Sequence, residues 1–139
     1  MKIGNFWRLA SPLDAWTNTS RYLLNIDFEK LGSSFLKVLS EKNPAFEVTV
    51  KERLFSTESI NDVFSPWIKE GLTQSLILVA IYGDKLNIAL PISSQQWVDN
   101  IISKLLVSDD EILWKSFERL LPQIAEASPC SLLNSIEHL

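Results

Sequence analysis

SLILVAIYGDKLNIALP, residues 75–91, decides the fold, because an apolar run, a Gly-Asp-Lys break and a second apolar run share one short stretch. Leu76 to Tyr82 is apolar on both faces, as in a central strand, whereas Leu86, Ile88 and Leu90 alternate with Asn87 and Ala89, as in a strand nearer an edge. Gly83-Asp84 supplies the positive φ of a tight primed turn. Pro91 has no amide hydrogen to donate and ends the ladder. The stretch is therefore expected to be an antiparallel hairpin at the centre of a small sheet. Asp84 and Lys85 fall in the turn, no titratable pair faces inward, and the hairpin reads as scaffold.

Outward from the hairpin, AFEVTVKERLF (45–55) alternates Phe46, Val48 and Val50 with Glu47, Thr49 and Lys51, the pattern of a strand with one buried face. Residues 57–71 mix caps, a Pro66-Trp67 step and Gly71, which reads as a short broken helix. Earlier, Asp27 caps a helix over residues 28–42, with Ile26 and Leu31 as a hydrophobic staple and Phe28, Leu31, Phe35, Val38 and Leu39 on one face. Asn43-Pro44 stops it. Residues 1–25 carry Phe6, Trp7, Leu9, Leu13 and Trp16 without a period, an irregular N-terminal arm ahead of one domain over 26–139.

Downstream, Ser93 with Gln96 makes a capping box for a helix whose stripe is Trp97, Val98, Ile101, Ile102, Leu105 and Leu106. Ser108 with Glu111 makes a second, ahead of Ile112, Leu113, Phe117, Leu120 and Leu121. Pro122 and Ser128-Pro129 impose restarts, since a proline inside a helix costs about 3 kcal/mol. The expected fold class is α+β: a small antiparallel sheet with a central hairpin, covered by amphipathic helices, and a helical C-terminal third.

Composition narrows the function. The 139 residues are 46% hydrophobic and 22% charged, enough for one core, and the net charge of −4 argues against nucleic acid and anionic lipid as partners. A single cysteine cannot build a disulfide framework, and no export signal or membrane-length apolar run is visible, so a cytoplasmic protein without membrane insertion is expected.

The catalytic inventory is thin. His138, the sole histidine, sits next to the last residue and reads as a solvated terminal group; Cys130 reads as a small buried thiol. One His and one Cys cannot form an ordinary zinc cage, and Asp109, Asp110 and Glu111 fit first-turn capping rather than a cation loop. No glycine-rich phosphate loop is present, and Lys51, Glu52 and Arg53 read as a solvated face. No metal, cofactor or catalytic activity is expected. The tryptophans are the notable surplus, five in all. Trp97 and Trp114 belong to apolar helical stripes and read as core, which leaves Trp7, Trp16 and Trp67 as candidate partner-binding residues.

LILVAIYGDKLNIALP, then WVDNIISKLL, then ILWKSFERLLPQIAEASPCSLLNSIEHL resembles the N-terminal region of the cytoplasmic-ring proteins of type III secretion systems. These SctQ/YscQ proteins are relatives of the flagellar motor-switch proteins. Gly83 matches the turn, Leu90-Pro91 the strand end, and Leu132, Leu133, Ile136 and Glu137 the closing leucine-rich string. The resemblance implies a non-enzymatic component of the cytosolic sorting platform, joining adaptor and ATPase-stator proteins and the family's own C-terminal ring domains. Those ring domains are not in this sequence, so the chain would be the N-terminal domain of a longer protein. A small acidic secretion chaperone that dimerises around an effector segment is the alternative.

Overall fold

Helices pack on helices here, in place of helices on a sheet. The computed structural model describes residues 2–47 and 62–138. It opens on a short ribbon, β1 (Lys2–Ile3) antiparallel to β2 (Phe6–Trp7), with Lys2 opposite Trp7 and Ile3 opposite Phe6. Gly4 turns the ribbon at φ 59, the left-handed region that glycine enters at little cost. This ladder is the only strand pairing among the described residues, so the expected α+β class gives way to a mostly helical one.

Ser11 then caps α1 (Pro12–Thr19) by accepting the Asp14 N–H at 3.2 Å, and Pro12 occupies the first turn, where its missing amide hydrogen leaves nothing unpaired. A 3-10 turn (Ser20–Tyr22) leads into α2 (Asn25–Leu39). Its cap position is Leu24, and Asp27 closes the first turn from inside by accepting the Leu24 N–H at 2.9 Å. Next comes a single turn, α3 (Pro44–Glu47), at the start of the segment expected as a strand. The remainder of that strand, with Lys51, Glu52 and Arg53, lies outside the described residues, as do residues 57–61.

The 75–91 stretch is corrected most. Ser65 caps α4 (Pro66–Tyr82) by accepting the Ile68 N–H at 3.3 Å, and this 17-residue helix runs through Gly71 and the supposed first strand. Leu76 and Val79, together with Lys69 and Thr73, form its buried stripe at helical spacing. An apolar run that satisfies both faces of a strand equally satisfies a helix packed on several sides. Gly83 has φ −58, an ordinary right-handed value, and residues 83–92 form a turn and loop from which Ile88 and Leu90 still pack on the core.

The later helices follow the expected punctuation. Ser93 accepts the Gln96 N–H at 3.2 Å to start α5 (Ser94–Leu106). Asp110, rather than Ser108, caps α6 (Glu111–Phe117), its Oδ1 accepting from Ile112 and Leu113 at 2.9 and 3.2 Å. After a 3-10 turn (Glu118–Leu120) the chain restarts as α7 (Leu121–Ala127), with Pro122 in its first turn, and again as α8 (Pro129–Glu137).

Phe28, Phe35 and Leu39 of α2, Leu76 and Val79 of α4, Val98, Ile102 and Leu105 of α5, Phe117 of α6 and Ile124 of α7 make one continuous core. Trp97 and Trp114 lie half-buried against it, as expected. Lys69 is buried in α4 and tolerated there because its ammonium pairs with the Asp62 carboxylate. A polar seam holds the junction of α7 and α8 on α5: Ser128 donates to Asp99 Oδ1 at 2.6 Å, Ser103 donates to Ser131 at 3.1 Å, and Gln95 Nε2 donates to Asp99 Oδ1 and the Ala127 carbonyl at 2.8 and 2.9 Å.

Two carboxylates stitch loops to helix starts. Asp84 Oδ1 accepts the Ser94 N–H at 2.8 Å, and this backbone bond above all lowers its pKa below 3.8. The Lys42 ammonium bonded to Asp110, followed by the Leu113 N–H, does the same there. A carboxyl whose folded pKa is depressed contributes stability above its unfolded pKa and loses it as pH falls through the folded value. Urea midpoints measured across pH should therefore fall below pH 3.8. Asp84→Asn should be less stable than the parent at pH 7, with the difference shrinking as the pH drops below that point. A difference independent of pH would remove the ionised carboxylate from the account.

Candidate functional site

Two of the three tryptophans singled out in the sequence meet at one groove. The N-terminal ribbon faces the first half of α4 across a groove of about 680 Å³. Ile3, Trp7 and Arg8 form the ribbon wall; Trp67, Glu70, Gly71 and Gln74 form the helical wall. The spacing explains the second wall, since residues 67, 70, 71 and 74 share one face of a helix while Lys69, Thr73 and Leu76 point to the core. Trp7 is 80% and Trp67 75% exposed, so neither indole is spent on packing.

Glycines tell the same story from the backbone. A Cβ on Gly32 would meet Ile101 Cδ1 at 2.8 Å, a terminal methyl that can turn aside, whereas one on Gly83 would meet Ser94 Cβ at 2.6 Å, where helices approach too closely for a side chain. A Cβ on Gly71 would meet nothing within 4 Å. Glycine inside a helix costs about 1 kcal/mol relative to alanine. At residue 71 no internal packing offsets that cost, and the bare backbone forms the floor of the groove.

Electrostatically the groove is mixed. Glu70 is half-buried and accepts from Gln74 Nε2 at 3.4 Å, a long bond. The ion pairs among the described residues, Lys42 with Asp110 and Lys69 with Asp62, do not include it. Arg8 is engaged within the chain.

The third tryptophan goes elsewhere. Trp16, on α1, lies half-buried with its ring edge-on to Phe28, centroids 6.2 Å apart, and Phe28 meets Trp97 in the same way at 6.1 Å. It ties the lead-in segment to the core and does not line the groove. Cys130 is exposed near the start of α8, which corrects the expected buried thiol: Ser131, one residue on, takes the inward position. His138 ends α8 beside a smaller depression of about 250 Å³ that Asp109 also lines. Asp109 does not cap α6; its neighbour Asp110 does.

Ile3, Arg8, Glu70, Gly71 and Gln74 were not singled out in the sequence. The helix-face spacing from Trp67 would have found three of them had the helix been read past Gly71. Among the described residues no helix is long and apolar enough to cross a membrane, and no group of three His, Cys, Asp or Glu is placed to hold a metal ion. Comparison with family models, curated proteins and solved structures returns no match.

Proposed function

We propose that this chain is a non-enzymatic protein-docking module whose contact site is the groove between the N-terminal ribbon and α4. The observation that carries this reading is the pair of exposed indoles, Trp7 and Trp67, on opposite walls of one groove. Tryptophan supplies large contact area with little side-chain entropy to lose, and such residues dominate binding energy when a partner covers them. The open floor at Gly71 supports the same reading, because a helix interior without a side chain admits close approach.

The cytoplasmic sorting platform of a type III secretion system is the setting in which such a module would join adaptor and ATPase-stator proteins. Of the residues behind that resemblance, the leucine-rich string is helical: Leu132 packs against the core while Leu133 and Ile136 are exposed. Gly83 and Leu90-Pro91 lie in a turn and loop, so the strand-pair part of the resemblance lends no support. The docking site itself stands on the groove.

Affinity capture from an extract of the source cells, using the parent chain and its variants as bait, tests the reading. Trp7→Ala and Trp67→Ala should each lose the captured protein, at about 2 kcal/mol or roughly thirtyfold in affinity per indole. A Trp16→Phe bait should keep it. Capture unchanged by both groove substitutions would remove the groove from the function.

A further inference from the structure

Resting on that docking reading, we propose that the groove receives a cationic side chain, arginine or lysine, from a basic segment of the partner protein. Glu70 is the central observation. The half-buried residue lines a groove with two indoles, and its carboxylate has only the long bond from Gln74 and no cation paired to it among the described residues. A carboxylate partly withdrawn from water is where an incoming guanidinium or ammonium gains most. Indole faces attract the same group: Trp7 and Trp67 present the largest quadrupolar surfaces of any side chain, and a cation near them is stabilised further as water leaves.

Charge on the larger scale points the same way. The chain carries a net charge of −4, which steers basic segments toward it and disfavours acidic ones. Arg8 on the ribbon wall already has an interaction within the chain and forms no ion pair with Glu70, so it does not fill the place of the incoming cation. Gly71 leaves the floor beside Glu70 open, since a Cβ there would meet nothing within 4 Å. A segment with apolar anchors alone would cover Trp7, Trp67 and Ile3 but leave the Glu70 charge desolvated and unpaired, a cost that disfavours it.

The test uses the full chain, labelled with ¹⁵N, and two capped peptides, Gly-Ser-Arg-Ser-Arg-Ser-Gly and its counterpart with leucine in place of each arginine. The arginine peptide should shift the indole N–H signals of Trp7 and Trp67, identified by W7F and W67F, and leave that of Trp16 in place. Glu70→Gln should weaken its binding by about tenfold. Gly71→Leu should abolish it while the remaining spectrum stays folded. Equal binding of the leucine peptide, or unchanged binding in Glu70→Gln, overturns the cationic ligand and leaves the docking groove standing. Indole signals that move with protein concentration alone overturn it in favour of a second copy of the chain. If neither peptide moves either indole at millimolar concentration, the basic-segment proposal falls. The capture experiment then decides separately whether the groove docks a protein at all.

Discussion

Replacing Gly83 by alanine lowers the unfolding free energy by about 3 kcal/mol, the upper part of the range for forcing atoms into a filled site. The Cβ would stand 2.6 Å from Ser94 Cβ and 2.5 Å from the Val79 carbonyl oxygen, and it would also strike Ser94 Oγ. None of these is the mobile end of a long side chain, so relief requires the last turn of α4 to distort away from the Val79 carbonyl as well as from the start of α5. The backbone gains nothing from glycine's freedom at this residue, because φ is −58. Chemical denaturation of Gly83→Ala, Ser94→Gly and the double variant checks the mechanism. Coupling between the two substitutions should restore at least about 1 kcal/mol. Strict additivity would place the cost of alanine outside this helix crossing.

Gly83 also shows where the sequence was legible and where it was not. A glycine between two apolar runs is the signal of a hairpin, and the same letter is required when two helices cross too closely for a Cβ. One sequence does not separate those causes. The evidence that α4 is a helix lay at its other end, in Ser65-Pro66, a cap followed by a first-turn proline. Gly71 hid it, because a glycine inside a helix reads as a stop. Where polar residues punctuate an amphipathic stripe the reading was close: Ser93 caps α5, Pro122 and Ser128-Pro129 mark restarts, and α2 buries Phe28, Phe35, Val38 and Leu39 of the expected face with Leu31 half-buried, although it starts at Asn25, three residues before the expected first residue. The one hairpin turn with a left-handed glycine sits at Gly4, in a segment too short to show alternation.

The candidate site follows the same division. Trp7 and Trp67 stood out as aromatic residues that no stripe absorbs, and both line the groove. Trp16 stood out for the same reason yet packs on Phe28, because the segment that carries it is itself a helix, with Ser11 as its cap. Surplus aromatic residues thus end either in an exposed groove or in a lead-in element folded back on the core. Only the tertiary placement of their neighbours separates the two.

That distinction predicts opposite energetics for residues of similar chemistry. Phe28→Ala should cost about 4 kcal/mol, because the ring is 1% exposed and its removal opens a cavity between α1, α2 and α5. Part of that loss is the two edge-to-face contacts with Trp16 and Trp97, worth about 1 kcal/mol each beyond buried area. Trp16 fluorescence should shift to the red in this variant as α1 loses its seat. Trp67→Ala, by contrast, removes a larger side chain and should change the unfolding free energy by no more than about 0.5 kcal/mol, since the residue is 75% exposed. Urea denaturation of both variants alongside the parent gives the comparison. Equal losses would mean that Trp67 is part of the fold and is not held out for a partner. A large loss at Phe28 beside none at Trp67 would mean that the protein keeps one of its largest apolar side chains in water at no benefit to its own stability. That outcome is what the docking proposed at the groove predicts, because an indole reserved for a partner contributes nothing to folding.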